Sequence, residues 1–519
     1  MNGFLYFIFR RGIFPPAGLL LLALAVSGGA ATAQKQNAIW VLTHAEGLDF
    51  NSEPPVLFQF DSVCVQSVES FIENMPSTAD ESGSITAYLR PCCSDPTGKG
   101  CVFNKNHDIM ENGDDVQYSF THTNGSVFVP FPGRSDAVML FSFGKAPLSY
   151  GTNGLYCSVI NTVENGGLGK VAEKNTLVKP GCFYESMTAV RHENGRDWWL
   201  ITHSALNDTF FVFAVTPDGV GPPTARNIGM PYQPWLPGSG CDYQIMGEIS
   251  HGGCGTRIAV ATRGVLDVFD FDRATGELYG HVALDTTLSG YVPGSPAPNA
   301  WDYQVYYGHA FSEDGSKLYA KVTTYRPDSI IYEIEEIWQF DLNAAAPIAT
   351  KAVIWRSENV VYYIWQFERG VNGKIYIRSM YELDEEYNLT AWGIGVIHNP
   401  NLPYPACNFE PIALRLQSDL GTQIGLPNTP AYAVPSVPPP LSDTSVCAGT
   451  SFVMPRGSGI YHWSPAVVET ESSYLFTPIE STTYTLSYSE SGNCFAVDSF
   501  RITVIPRYVS VGGFEASYP

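Results

Sequence analysis

Six short stretches of this chain share one design: an alternating strand, a tight glycine turn, and a second alternating strand. "ENGRDWWLITH" turns at Gly195, "GCGTRIAVAT" at Gly255, "EDGSKLYAKV" at Gly315 and "VNGKIYIRSM" at Gly373, at spacings of 60, 60 and 58 residues. Weaker copies precede them: "PGRSDAVMLFSF" at Gly133, 62 residues before Gly195, and "ESGSITAYL" at Gly83, another 50 before that. A near-fixed period of this length marks a repeat architecture. Glycine supplies the positive φ that a tight hairpin needs. Further strands follow within the period, as in "TFFVFAVTPDGV", "VLDVFDFDRATGEL" and "EIEEIWQFDL". Four strands per repeat is the pattern of a β-propeller blade.

Six such turns predict six blades. "NAIWVLTH" and "PVLFQF" at the front and "TAWGIGVIHN" at the back remain over. Joined, they are expected to complete a seventh blade and remove the exposed sheet edges. Residues 36–430 therefore read as a seven-bladed β-propeller. In this reading Glu313 and Asp314 are turn residues, and so are Asp270 and Asp272 of "DFDRATGEL", which lacks the ligand order of a calcium loop.

The bulk composition agrees with an all-β protein: 48 Gly and 37 Pro supply many turns, and no stretch after the N-terminus keeps a helical period. Residues 1–33 read as a signal peptide. Arg10 and Arg11 precede the apolar run "AGLLLLALAVSGGAA", and "ATA" supplies small residues for cleavage. No later segment is apolar enough to span a membrane as a helix. Removing residues 1–33 removes two Arg and no acid, leaving 27 basic against 51 acidic residues, a net charge of about −24. Such a surface repels nucleic-acid phosphates. The expected location is secreted, with association to the cell surface or outer membrane.

The 11 cysteines suit an oxidising compartment. No C-x-x-C pair is present, so structural zinc is not expected. "PCCSDPTGKGC", with Cys92, Cys93 and Cys101, is expected to staple a loop. Cys157 with Cys182, and Cys241 with Cys254, are expected pairs. The odd count leaves a free thiol.

"AYAVPSVPPPLSD" is a stiff proline-rich spacer, placed at residues 431–445. Short alternating strands follow over residues 446–505 and read as a small Ig-like or PKD-like β-sandwich with Trp463 in its core. Cys447 and Cys494 are expected to bridge within it, because so small a module needs a staple. Residues 506–519 are a tail, either plain or the start of a truncated continuation.

Several stretches resemble the large secreted and surface proteins of gliding-type bacteria, substrates of the type IX secretion system with PKD or Ig-like repeats and a gliding-motility-associated C-terminal domain. They are "IWVLTHAEGLDFNSEPPV", "FNKNHDIMENG", "NGGLGKVAEKN", "MTAVRHENGRDWWLITH", "VFDFDRATGEL", "FSEDGSKLYA" and "WGIGVIHNPNLPYPACNFEPIAL" with "IGLPN", which together span residues 38–427. "YHWSP" and "TTYTLSYSESGNC" resemble that family's Ig-like repeats. The family's sorting signal of the "FTPNGDGxND" kind is not found. The resemblance implies export and surface display and brings no catalytic residues with it.

Candidates for chemistry are the histidines His44, His107, His192, His203 and His309, which a propeller hydrolase could gather with acids around its axis. No H-E-x-x-H, G-x-S-x-G or phosphate-loop motif is present. The expectation is a binding or adhesion protein with no catalytic, cofactor-binding or metal residues. Its partners would be an extracellular glycan or protein and the export machinery. Aromatics in "YQPWLPG", "PNAWDYQVYYG" and "VVYYIWQF" are candidates for stacking on a ligand. The alternatives are a structural segment of a larger surface assembly and a hydrolase acting on polysaccharide or lactone.

Overall fold

A computed structural model describes residues 35–61, 72–92, 99–119, 121–145, 152–205, 207–230, 247–285, 287, 304–325, 333–357, 364–383, 389–417 and 425–432 of one unit. Of a second unit it describes residues 443–455, 460–470, 473–489 and 496–505. The first unit runs from Thr32 to Val434 and the second contains Pro435–Pro519. The signal peptide and the tail expected from the sequence lie outside the described residues. Among the described residues no helix is long and apolar enough to cross a membrane.

Among its described residues the first unit contains seven small antiparallel sheets. Each begins with a strand on the inside: Ile39–Val41, Ser77–Ala79, Ser126–Pro130, Phe183–Arg191, Glu248–Gly252, Val305–Phe311 and Phe367–Arg369. Inner strands of consecutive sheets lie side by side from the first to the seventh. A separate apolar cluster fills each gap between neighbouring sheets. Leu200 and Phe213 of the fourth sheet meet Phe141 and Leu155 of the third, and Leu318 and Phe340 of the sixth meet Leu266 and Val268 of the fifth. The last gap joins the seventh sheet to the first. Trp40 and Phe50 pack edge-on against Tyr376, with ring centroids 5.5 and 5.2 Å away, beside Ile394 and Val396. Sheets set radially around an axis, each buried on both faces by its neighbours, are a β-propeller.

All six turn glycines singled out by the repeat have positive φ, between 68° and 87°. Gly315 shows why a side chain is excluded there. A Cβ would stand 2.7 Å from the Cα of Gly253, on the turn of the preceding sheet. Beside it Asp314 Oδ1 accepts the Ser312 hydroxyl at 2.6 Å and the Ser316 amide at 2.9 Å. It is a turn residue.

Ring closure differs from the expectation. The strand Leu389–Ile397, which contains "TAWGIGVI", pairs with Ile375–Leu383 and Phe409–Leu416 inside the seventh sheet. The N-terminal strands form a three-stranded sheet of their own. No ladder joins the two chain ends among the described residues. The fourth strand of the seventh sheet comes from "FEPIALRL", which lies behind a proline-rich loop and left no strand unpaired. Among the described residues, the first and seventh sheets meet through side chains.

The second unit has two small sheets sharing one core of Phe452, Trp463, Tyr474, Phe476, Tyr484, Phe500 and Ile502. Trp463 stands perpendicular to Phe476 at 5.0 Å.

The cysteines require corrections. Cys92 and Cys101 form a disulfide with Cα atoms 4.9 Å apart, stapling the expected loop. Cys157 is free and buried, whereas Cys182 is disulfide-bonded, so the expected pair is not formed. The ladder explains it. Phe183 donates its amide to Thr152 Oγ1, five residues along the strand from Cys157. That separation is roughly 16 Å, far beyond disulfide reach. Cys447 is free and exposed. It opposes Ile505, the last residue of the strand Ala496–Ile505. Cys254 is disulfide-bonded; its expected partner Cys241, like Cys93 and Cys494, lies outside the described residues.

Candidate functional site: a filled channel and an open cleft

The inner strands send polar side chains toward the axis, where Glu73, Glu185 and Glu248 are buried and Glu368 is half-buried. Glu73 Oε2 accepts the Tyr307 hydroxyl at 2.6 Å and the Thr123 hydroxyl at 2.8 Å. Glu185 Oε1 accepts the Gly247 amide at 2.8 Å, and Glu248 Oε2 accepts the His309 amide at 3.1 Å. Burial disfavours the ionised form of each acid. It pushes Glu73 up to about 7 and Glu368 up to about 8, against the opposing hydrogen bonds they accept. Glu248 is raised well above its ordinary value by burial, and Glu368 and Glu73 add to the shift. The buried histidines move the other way. Burial lowers His309 and His251 to about 4, with Arg369 reinforcing the effect at His251. Burial thus disfavours the charged form of Glu73, Glu248 and Glu368 and of His251 and His309 alike.

Residues 425–432 run through this channel and are buried along their whole length. Leu426 donates its amide to Gln366 Oε1. Asn428 Nδ2 lies within hydrogen-bond distance of three backbone carbonyls, Met187 at 2.8 Å, Ser126 at 3.1 Å and Asn124 at 3.2 Å. Thr429 donates its hydroxyl to Glu368 Oε1 at 2.5 Å, and its carbonyl lies 3.0 Å from His251 Nε2. Ala431 pairs in parallel with Val190. The spacer expected to start at residue 431 thus begins with two buried residues of the propeller. The space left beside His251, His309 and Glu368 is about 20 Å³, close to one water molecule. Among the described residues no group of three His, Cys, Asp or Glu is arranged to hold a metal ion.

A cleft of about 710 Å³ lies among the turns of the second, third and fourth sheets. Its walls are the turn at Asp80–Ser82, the turn at Phe131–Ser135 and the turn carrying Gly195 and Arg196; Arg191, Trp198 and Tyr432 complete the lining. Turn chemistry makes these walls firm. Asp80 Oδ1 accepts the Ser82 and Ser84 amides at 2.8 and 3.0 Å. Arg134 makes a two-point pair with Asp136 at 3.1 and 3.0 Å, and Arg196 another with Asp197 at 2.7 and 2.9 Å. Both guanidinium groups remain about half exposed. Arg134 also stacks over Phe131 at 5.1 Å, and Arg191 over Trp198 at 5.6 Å. The cleft offers planar hydrogen-bond donors, hydroxyls and one covered aromatic face, a mixture suited to a polar ligand.

The five candidate histidines are not brought together. His309 alone among them lines the channel cavity. His44 is partly exposed, and burial lowers its pKa. His107 stacks on Phe60 at 4.0 Å and meets the Tyr88 hydroxyl at 3.1 Å. His192 accepts the Asn194 amide in its own turn and stacks on Trp199. His203 is wholly buried with Nδ1 2.7 Å from the Ser204 carbonyl, and burial lowers it to about 3. Sequence reading missed Glu73, Glu185, Glu248, Glu368, His251 and Asn428. A signal existed: "CFYESM", "MGEISH" and "WQFERG" each put a Glu in the first strand of a repeat.

No protein-family model matches the chain, and no curated protein is similar to it. Solved structures with a related outline include the GH74 enzyme of Niastella koreensis, at 11% identity and TM-score 0.37 over 93% of this chain and 66% of that one. The Cps50 (Swd1) β-propeller domain of Myceliophteria thermophila aligns at 9% identity and TM-score 0.34 over 67% of this chain and 91% of that one. A functionally unknown protein of Desulfotomaculum acetoxidans aligns at 10% identity and TM-score 0.35 over 76% of this chain and 98% of that one.

Proposed function

We propose that this chain is a secreted or cell-surface binding protein. Its first unit, read as a seven-bladed propeller, is the recognition platform, and its second, read as Ig-like, is a spacer. The ligand is an extracellular glycan or protein seated in the cleft between the turns of the second, third and fourth sheets. One observation carries this reading: the channel is filled by residues 425–432, while the cleft of about 710 Å³ stands open on hydrogen-bonded turns. A hydrolase would need its acids within reach of a substrate, and Glu248 is wholly buried beside the filled channel. The export route we propose is type IX secretion, on the strength of the resemblance over residues 38–427.

The test is a glycan and protein array probed with the full chain and with Arg134→Ala and Arg196→Ala. Both positions are exposed, so the fold should survive. Binding that falls at least tenfold in both variants supports the cleft. Binding untouched by either, or glycan turnover abolished by Glu248→Gln, would overturn the reading.

A further inference from the structure

Among the described residues Arg90 carries a buried charge on which no carboxylate acts. It is next to last in the strand Ile85–Pro91, opposite Cys101, and is 7% exposed. Strand alternation puts it on the same face as Tyr88, the face that packs on Val41 and Phe60 of the first sheet. Its Nε is buried with no hydrogen-bond partner among the described residues. Burial works against its charge, and the groups that favour it are Tyr88 and Tyr118. Other deeply set guanidinium groups differ. Arg273 Nε donates to the Arg191 carbonyl at 2.9 Å, and the charge of Arg378 is favoured by Glu46. A guanidinium keeps its proton in a protein. Its desolvation therefore has to be offset by an anion or by acceptors.

Two imidazoles stand in the field of this charge. Burial lowers the pKa of His44 and of His107, and Arg90 lowers both further, while Glu46 opposes the shift at His44 and Asp108 at His107. His107 is held in the left-handed region, at φ 65°, by a turn in which the Asn104 carbonyl accepts its amide at 3.0 Å. Its Nδ1 lies 3.1 Å from the Tyr88 hydroxyl. When that hydroxyl donates, the proton of the neutral ring sits on Nε2, which is then a donor. The disulfide Cys92–Cys101 staples the end of the strand beside Arg90.

We propose that Arg90, with His44 and His107, is a binding site for a compact oxyanion: a carboxylate, sulfate or phosphate group. The planar guanidinium fork matches such a group at two points, and an imidazole N–H adds a further donor. The occupant supplies the counter-charge to Arg90. The site lies at the end of the strand Ile85–Pro91 away from the Gly83 turn, whereas the cleft is walled by Asp80–Ser82 of that turn. It is a second site and does not depend on the cleft.

The experiment is NMR of the full chain with ring-labelled histidine, titrated with sodium sulfate, phosphate or acetate against sodium chloride of equal ionic strength. The expected result is that the His44 and His107 signals move along a saturating curve with at least one oxyanion, while those of His203 and His309 hold still. The oxyanion with the lowest half-saturating concentration tells a tetrahedral group from a planar one. In Arg90→Met no signal should follow a saturating curve. In Arg90→Lys, which keeps the charge and loses the fork, the half-saturating concentration should rise at least tenfold. No saturating movement in wild type with any of the three anions would overturn the proposal. So would equal movement in Arg90→Met, which would mark a general salt effect. If Arg90→Met does not fold, Arg90→Lys decides: an unchanged half-saturating concentration there would remove the guanidinium as the holder of the anion, and the proposal with it.

Discussion

Thr429 holds Glu368 by a hydroxyl-to-carboxyl hydrogen bond of 2.5 Å inside the channel. Glu368 is pushed up to about 8 by burial, so it keeps its proton in the native state at pH values where the unfolded chain has released it. Between about pH 4.5 and 8 the native state binds more protons at this group than the unfolded state. Raising the pH across that window therefore favours unfolding, by at most about 1.4 kcal/mol per pH unit for one such group. Glu73, raised to about 7, acts in the same direction over a narrower window. The melting temperature is expected to fall from pH 6.5 to pH 8, above the range in which the buried His203, His251 and His309 oppose the acids, and to fall less steeply in Glu368→Gln. Calorimetric scans of both proteins test this; parallel curves would remove Glu368 from the account.

Gly315 and Gly166 have nearly equal φ, 68° and 66°, but unlike surroundings. A Cβ on Gly315 would press on Gly253, whereas one on Gly166 meets nothing within 4 Å. Gly166→Ala should cost about 1 kcal/mol, the penalty of a left-handed non-glycine residue alone. Gly315→Ala adds a clash of backbone on backbone and should cost about 3 kcal/mol. Urea titration of the two variants measures the difference, and equal losses would mean that the two turns are not in contact.

The cysteines should separate into three classes on alkylation. Cys447 reacts in the native protein without reduction, since it is exposed and free. Cys157 reacts only after unfolding, since it is buried and burial raises its thiol to about 12. Cys92 and Cys101 react only after reduction. A Cys447 that resists alkylation until reduced would restore the disulfide expected from the sequence.

Trp40 fills the gap between the first and seventh sheets and is fully buried. Trp40→Ala should cost about 3–5 kcal/mol, as for other large-to-small changes in a core. Because the seam carries no ladder, the loss should appear as loosening of both sheets that border it. Exchange should quicken in Ile375–Leu383 as well as in Glu46–Asp49. Quickening confined to the first sheet would place the closure elsewhere.

The turns were legible because their cause is local. Gly195, Gly255 and Gly315 report a backbone conformation that few other residues adopt, and neighbours such as Asp314 report the bonds that hold it. The channel was not legible, because its cause is distant. Glu248 sits in "GEISHG", which reads as an ordinary half-exposed strand until six other sheets enclose it. Asn428 stands in a proline-rich stretch and meets carbonyls more than two hundred residues away. Cys157 and Cys182 looked like partners because they are close in sequence, but an intervening strand carries them apart. The seam was misread because a missing strand was sought at the termini while "FEPIALRL" already supplied it.

A ring whose described seam carries side-chain packing and no ladder has a consequence for biosynthesis. The apolar face formed by Trp40, Leu42 and Leu48 emerges first from the ribosome, and its covering residues, Tyr376, Ile394 and Val396, are among the last of the unit to be made. No early ladder can protect that face in the interval. The first sheet must wait uncovered for nearly the whole propeller, so any holding factor that accompanies the nascent chain should bind at its N-terminal sheet and be displaced by the seventh.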